Sequence, residues 1–457
     1  MPPRTKACAT CRKKRIRCDA TLPYCLMCSR FGRQCPGVAD GPLIVDMTKT
    51  AKHGMQKRAT KSSSKSLDLV PLVWTNPNNV VVHRMSQRAM VTEAFYERFL
   101  THFTFEGEGT DIRNRLSWLH RLPLLSTDGT NDALVLALQA TASAYCAVDN
   151  SNVALTRHAW NLYGDALRAH GRALLPSRSK PHVTLHMVST SVLFSLFEAM
   201  QATNANAYRS HIYGAAKMFE VTGPEQCTEG ILCQIFYHLR TQMTFLDLTG
   251  RANDTPVEVR KILYRTLEYT RLPMFQTLMN HVAKLADLYT AMRDGVDEGQ
   301  TYQSLDLTTY MVARSEVEVL WDEYTETAEE WNEQLTWEDP WTRATMYRDA
   351  FTALTIAYFE TARILLAIVA PQLATSHVDL SDHYAAIVDI SQYLRINDVG
   401  FAYMRMATPL LLVALHSPKR EQRKAATRYF ENWVDGSMRG ISLLALESIY
   451  RHRVLKT

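Results

Sequence analysis

The chain has 457 residues, 46% of them hydrophobic, with 51 Lys and Arg against 46 Asp and Glu and a formal net charge of +5. Its longest strongly apolar runs, around Ile364 to Val369 and Leu410 to Leu415, fall far short of the ~20 residues that a bilayer span needs, so a membrane is not an expected partner. The small net charge hides a division: residues 1–65 carry 15 Lys and Arg against 3 Asp and Glu, a net of +12, while residues 66–457 carry 36 against 43, a net of −7. A basic arm on an acidic body can bind a polyanion where the whole protein would not.

In chain order the first feature is a set of six cysteines, Cys8, Cys11, Cys18, Cys25, Cys28 and Cys35, which repeats the spacing C-x2-C-x6-C twice. Two tetrahedral zinc ions require eight ligand positions, and six thiolates fill them only if two bridge both metals. Two Zn²⁺ and six thiolates leave a net charge of −2, which needs cationic surroundings before it can approach a polyanion. Arg12, Lys13, Lys14, Arg15 and Arg17 supply them, filling five of the six spacers between Cys11 and Cys18. The matching spacers after Cys28 are Ser29, Arg30, Phe31, Gly32, Arg33 and Gln34. The first half is therefore the expected reader and the second the support. No signal peptide precedes the cysteines, and the other three, Cys146, Cys227 and Cys233, are scattered in apolar surroundings, so buried thiols are expected in place of a disulfide framework.

This pattern resembles the fungal Zn2Cys6 binuclear cluster of transcription factors. The resemblance implies bridging by the first and fourth cysteines, Cys8 and Cys25, so that one ion takes Cys8, Cys11, Cys18 and Cys25 and the other Cys25, Cys28, Cys35 and Cys8. Pro23, two residues before the fourth cysteine, occupies the place of a proline the family carries there. By the same resemblance Lys14 and Arg15 sit where the family contacts bases in the major groove of double-stranded DNA, with a CGG-like triplet as the inherited target. Arg12, Lys13 and Arg17, with Arg30 or Arg33, would meet phosphates, which confer affinity and salt dependence without sequence choice. A head of this size has too little core to fold alone, so zinc binding and folding are expected to be one event.

The expected organisation is a Zn2Cys6 domain over 1–36, a flexible basic linker over 37–84 and a helical regulatory domain over 85–457. In the linker, Lys61-Ser62-Ser63-Ser64-Lys65 reads as a solvated tether; no heptad pattern is sustained there for coiled-coil pairing. Lys57, Arg58, Lys61 and Lys65 extend the basic run as a nuclear import signal or simply keep the tether soluble. Beyond residue 85 the periodicity is helical. Expected helices run over Ala89–Phe103, Leu134–Val148, Trp160–Leu174, Leu185–Ala199 and Tyr208–Val221, the last stopped by Gly223-Pro224. They continue over Gly230–Leu248, Val257–Met292 broken at Pro273, Leu307–Leu335, Trp341–Ile368, Tyr384–Leu394, Val399–His416, Arg420–Trp433 and Ile441–Tyr450. Val80-Val81-Val82 is the best strand candidate. The fold class is thus mostly α.

The body is similar to the fungal-specific transcription factor domain that follows many such heads. The likeness rests on His211-Ile212-Tyr213-Gly214-Ala215-Ala216 leading to Gly223-Pro224, then Phe236 and Arg240. It extends to Trp118-Leu119, Leu122-Pro123, Tyr163 with Ala166-Leu167, and Pro409-Leu410-Leu411 with Ala414-Leu415-His416. It implies a nuclear regulator of RNA polymerase II genes whose body provides homodimer, coregulator or ligand contacts, although no residue cluster points to a small-molecule effector.

Catalytic constellations do not occur in the sequence. His182 and His186 share a helical spacing, but Val183 replaces the glutamate of H-E-x-x-H; Gly107-x-Gly109 lacks a third glycine; no G-x-S-x-G or G-x-x-x-x-G-K-[ST] is present. Glu323, Glu326, Glu329 and Glu330 read as a solvated helix face. The alternatives to a DNA-reading regulator are a zinc-stapled protein-interaction module and a ligand-sensing helical domain without sequence-specific readout.

Overall fold

The computed structural model describes residues 8–14, 16–19, 21, 25–35, 92–100, 118–127, 131–175, 183–204, 206–250, 255–263, 267, 272–297, 306–371, 380–396 and 404–455. The expectations for the linker over 37–84, the Val80 to Val82 strand, Pro23, Arg15, His182, Gly107 and Gly109, and the side chain of Arg12, lie outside the described residues. The chain divides into two units between Val91 and Thr92.

In the first unit, α1 (Ala9–Lys14) and α2 (Leu26–Arg30) are single short turns. Neither has the length to be stable by itself, and both are held by sulfur. Cys25, with extended backbone, caps α2 by accepting the Cys28 N–H at 3.3 Å. Gly32, at φ +57°, turns the chain away after α2, a left-handed conformation that a side chain resists.

The second unit is mostly helical. Helical residues 92–100 present Phe95, Phe99 and Leu100 to the core, and a 3-10 turn at Trp118–Arg121 leads into α3 (Leu122–Ser126). Then come α4 (Asp132–Asp149), α5 (Val153–Leu174), α6 (Leu185–Gln201), α7 (Ala207–Thr222), α8 (Gly230–Thr249), α9 (Val257–Leu263), α10 (Met274–Asp297) and α11 (Leu307–Glu330). After a β-hairpin follow α12 (Ala350–Val369), α13 (Ser381–Ile396), α14 (Ala407–His416), α15 (Arg420–Trp433) and α16 (Arg439–Leu455). Polar caps set many of the starts. Asn131, Asn152, Thr184, Asp306 and Asp349 each accept the N–H three residues on, at 3.1, 3.0, 3.3, 2.9 and 2.7 Å, satisfying donors that a helix leaves unpaired.

Three helices carry the core. Every residue of α6 from Met187 to Met200, nearly all of α8 beyond Cys233, and most of α12 are buried, as expected of largely apolar helices, with Glu198, Arg240, Asp247 and Glu360 buried among them. Helix α8 packs against α7, α10, α14 and α16, and α16 returns to α6. That return is close: a Cβ on Gly440 would lie 2.3 Å from the Glu198 carbonyl oxygen. Hence only glycine lets the two backbones meet there.

Several boundaries shift from the sequence reading, α5 starting at Val153 rather than Trp160 and α11 ending at Glu330 rather than Leu335, and three differences are larger. The segment taken as the start of a helix at Trp341 is the second half of an antiparallel hairpin, β1 (Thr336–Glu338) with β2 (Thr345–Tyr347), and the helix starts only after the Asp349 cap. Asp339 makes the turn by accepting the N–H groups of Trp341 and Thr342 at 3.0 and 2.6 Å. The break near Pro273 is wider than one residue, with α9 ending at Leu263 and α10 starting at Met274. Finally, α12 is a 20-residue helix long and apolar enough to cross a membrane, which the sequence reading excluded by counting only unbroken apolar runs. Its Thr352, Thr355 and Thr361 interrupt such a run, yet Thr355 and Thr361 bond back to carbonyls four residues earlier. Most of the helix is buried in the core of the body, as for other core helices.

The residues behind the resemblance of the body are chiefly packing residues. Tyr163 stacks on Phe197 at 4.1 Å and donates its hydroxyl to Glu198 at 2.8 Å, while His211 Nε2 meets the same hydroxyl at 2.7 Å. The Ser191 hydroxyl donates to the His211 carbonyl at 3.3 Å. Arg240 lies 4.9 Å from the ring of Phe236, and His416 Nε2 meets the Tyr289 hydroxyl at 2.8 Å. Burial pushes the His170 and His211 imidazoles down to about 4, with the charge of His211 adding to the shift of His170. Cys146, Cys227 and Cys233 are buried free thiols, pushed up to about 11, 12 and 11 chiefly by burial.

Candidate metal centre and nucleic-acid interface

The six cysteines form two sets of four sulfurs, Cys8, Cys11, Cys18, Cys25 and Cys8, Cys25, Cys28, Cys35, with all ligand atoms in each set within 4.8 Å of one another. The sets share Cys8 and Cys25. Cys8 to Cys25, Cys8 to Cys28 and Cys11 to Cys25 are each 3.7 Å between sulfurs, and Cys25 to Cys35 is 3.8 Å. A tetrahedron with Zn–S bonds of ~2.3 Å has edges of about 3.8 Å, so these separations fit two zinc tetrahedra joined along the edge from Cys8 to Cys25. Cys11 and Cys28, one from each set, also approach to 3.7 Å.

The two halves are one bonding pattern used twice. Cys8 N–H donates to Cys18 Sγ at 3.3 Å and Cys25 N–H to Cys35 Sγ at 3.5 Å. Cys11 N–H to Cys8 Sγ and Cys28 N–H to Cys25 Sγ are both 3.3 Å. Ile16 N–H to the Cys11 carbonyl at 3.1 Å answers Arg33 N–H to the Cys28 carbonyl at 2.9 Å. The repeat follows from the repeated C-x2-C-x6-C spacing, and N–H donors aimed at sulfur favour thiolate.

Cys8, Cys11, Cys25 and Cys28 are buried, with Ile16, Met27, Cys18 and Cys35 partly buried around them. Burial, with the neighbouring sulfurs, pushes the Cys11 thiol up to about 12, and it also raises Cys25 and Cys28. Thiolate pairs this close repel each other, so a dication is what turns the set into ligands.

Of the basic residues, Lys13 and Lys14 stand exposed at the end of α1, and Arg17 is exposed just before Cys18. Arg12 belongs to α1. In the second half Arg30 is exposed, and Arg33 lies 5.0 Å over the exposed ring of Phe31. The cations of the first half thus lie on a loop fixed at both ends by cysteine.

Sequence reasoning missed Asp19. Its carboxylate accepts the N–H groups of Leu26 and Met27 at 2.9 and 3.1 Å and the hydroxyl of Thr21. The Thr21 hydroxyl and then the Leu26 N–H hold the carboxyl well below the usual range. An acid favoured at helix starts was a clue, but the helix begins seven residues further on.

Comparison with known proteins agrees with this geometry. Residues 6–40 match the fungal Zn(2)-Cys(6) binuclear cluster domain, and residues 115–442 match the fungal specific transcription factor domain. Transcriptional regulatory protein moc3 of Schizosaccharomyces pombe is 54% identical over 35 residues, 7% of each chain. Acriflavine sensitivity control protein acr-2 of Neurospora crassa is 56% identical over 34 residues, 7% of this chain and 6% of that one. These relatives therefore share only a short segment with the chain. No solved structure matches it. The cofactor of such a head is a pair of zinc ions, which the shared-edge sulfur sets fit. With a binuclear cluster at its start and the helical domain over most of its remaining length, the chain belongs to the fungal Zn2Cys6 transcription factors that carry a fungal-specific transcription factor domain.

Proposed function

We propose that the protein is a nuclear, zinc-dependent, sequence-specific DNA-binding regulator of RNA polymerase II genes. The observation that carries this reading is the exposure of Lys13, Lys14 and Arg17 on a loop closed by cysteines whose two sulfur sets share Cys8 and Cys25. In this reading Cys8, Cys11, Cys18 and Cys25 would hold one zinc, and Cys25, Cys28, Cys35 and Cys8 would hold the other. Bound zinc would supply the positive charge that favours the thiolate form of these buried cysteines, and Cys11 and Cys18 would then anchor both ends of the basic loop. The chain's own cations do the rest. Lys14 and Arg15 donate to guanine O6 and N7 of a CGG-like triplet in the major groove. Arg12, Lys13 and Arg17 neutralise phosphates and offset the negative cluster. Residues 1–36 form the head, 37–84 the tether, and 85–457 the regulatory body offering homodimer or coregulator contacts.

Selection of genomic DNA fragments by the zinc-loaded full-length protein tests this, run beside a variant with all six cluster cysteines changed to Ser. Enrichment of CGG-like triplets that disappears in the variant is the expected result. Equal enrichment by both proteins, or none by either, would reject DNA reading by the cluster.

A further inference from the structure

The head is a twofold repeat in its sulfur bonding, yet only one half carries the basic run. Two side chains, through three hydrogen bonds, break the repeat. Thr10 Oγ1 donates to the Gln34 carbonyl at 2.9 Å, and Asp19 accepts the Leu26 and Met27 N–H groups at 2.9 and 3.1 Å. The residues at the equivalent places, seventeen positions on, are Met27 and Pro36; neither side chain can repeat the bond. Asp19 immediately follows Cys18, which belongs to one sulfur set alone, whereas α2 contains Cys28, which belongs to the other alone. Its carboxylate is therefore a strut from the end of the basic loop to the first turn of the opposite helix.

An acid in this place has a cost. Asp19 is exposed and lies two residues after Arg17, on a segment meant to meet phosphates, where negative charge opposes binding. The free N–H groups of α2 could be satisfied by water, so capping alone does not demand a carboxylate there.

We propose that Asp19 is a positioning residue for sequence selectivity: it fixes the basic loop Arg12 to Arg17 against α2, giving up some total DNA affinity in return for one orientation of the loop at the bases. This rests on the DNA-reading function proposed above. Any DNA gains from the cations, but only the cognate triplet gains from their orientation. Loss of the strut should therefore separate the two quantities.

The test uses the full-length protein, with Asp19→Ala and Asp19→Asn. Cobalt uptake and its thiolate absorption bands report the cluster, and fluorescence anisotropy reports binding to a duplex enriched in the selection and to the same duplex with its triplet scrambled. Asp19→Ala is expected to keep two metal equivalents and to bind the scrambled duplex as tightly as the parent or tighter. Its preference for the selected duplex should fall about tenfold, the scale of one base contact. Asp19→Asn, which keeps one acceptor oxygen, should recover part of that preference. An unchanged preference in Asp19→Ala overturns the proposal. So does loss of metal together with an equal loss of both duplexes in both variants, since that is what a purely structural residue would give. A parent protein with no preference between the duplexes would instead overturn the DNA-reading function itself.

Discussion

The two units of the chain use burial in opposite ways. In the body, the buried side chains form one large apolar cluster that draws on nearly every helix, and removing them from water is itself stabilising. In the head, the buried side chains among the described residues are Cys8, Cys11, Cys25 and Cys28. Enclosing them makes their ionisation harder, as the rise of Cys11 to about 12 records. The same act that stabilises one unit thus opposes the ligand form in the other, and only a cation reverses the sign. Stability in the head is linked to metal, and in the body to shape.

The largest test of this contrast is metal removal. Chelation, or Cys25→Ser, which removes a sulfur common to both sets, should abolish head structure and DNA binding while leaving the thermal unfolding of the body unchanged. Tryptophan fluorescence reports chiefly the body, because residues 1–36 contain no tryptophan and seven of the eight lie beyond residue 85. A large shift of that transition on chelation would break the contrast.

The reverse perturbation is Gly440→Ala. The added Cβ would meet the Glu198 carbonyl oxygen at 2.3 Å and the Ala199 Cα at 3.2 Å. Both atoms belong to backbone, so α16 must move off α6 at a cost of about 3 kcal/mol. Denaturant unfolding should show that loss while cobalt binding by the head is retained.

Acid sharpens the comparison further. The folded body lowers His170 and His211 from the ordinary 6.5 to about 4. Between those values the unfolded chain binds more protons than the folded one, so stability falls as pH drops through that window and levels off below it. At ~1.4 kcal/mol per pH unit the pair could contribute at most about 7 kcal/mol. His170→Leu should flatten the curve of the body measured by tryptophan fluorescence. It should leave untouched the acid release of metal from the head, where protons compete for thiolate.

How much of this was legible in the sequence depends on the range of each interaction. Asn131, Asn152 and Asp349 cap helices through atoms three residues away, so the starts of α4, α5 and α12 are set locally, although hydrophobic periodicity places the last two at Trp160 and Trp341. The cysteine spacing is also local, and its doubled form translates directly into doubled N–H to sulfur bonding. The β-hairpin was hidden because each strand is three residues long, too short for an alternation to show. The span of α12 was hidden because Thr352, Thr355, Glu360, Thr361 and Arg363 break its apolar runs. Neither the contact of Gly440 with Glu198 nor the reach of Asp19 to α2 leaves a periodic trace. Each depends on where two separate segments come to lie.

The smallest expected effect bears on the head alone. Lys14 and Arg17 are both exposed cations on the same loop, so charge by itself makes them equivalent. If the loop is held in one orientation, they are not: Lys14, at the end of α1, should reach a base, and Arg17, beside Cys18, a phosphate. Lys14→Ala should then lower discrimination between the selected and scrambled duplexes by about 1–2 kcal/mol. Arg17→Ala should weaken both duplexes equally and reduce the salt slope of binding by about one counterion. Anisotropy titrations of each variant across a range of salt separate the two outcomes. Equal effects from both substitutions would mean that the loop contributes charge without orientation, which would make the head a nonspecific polyanion binder.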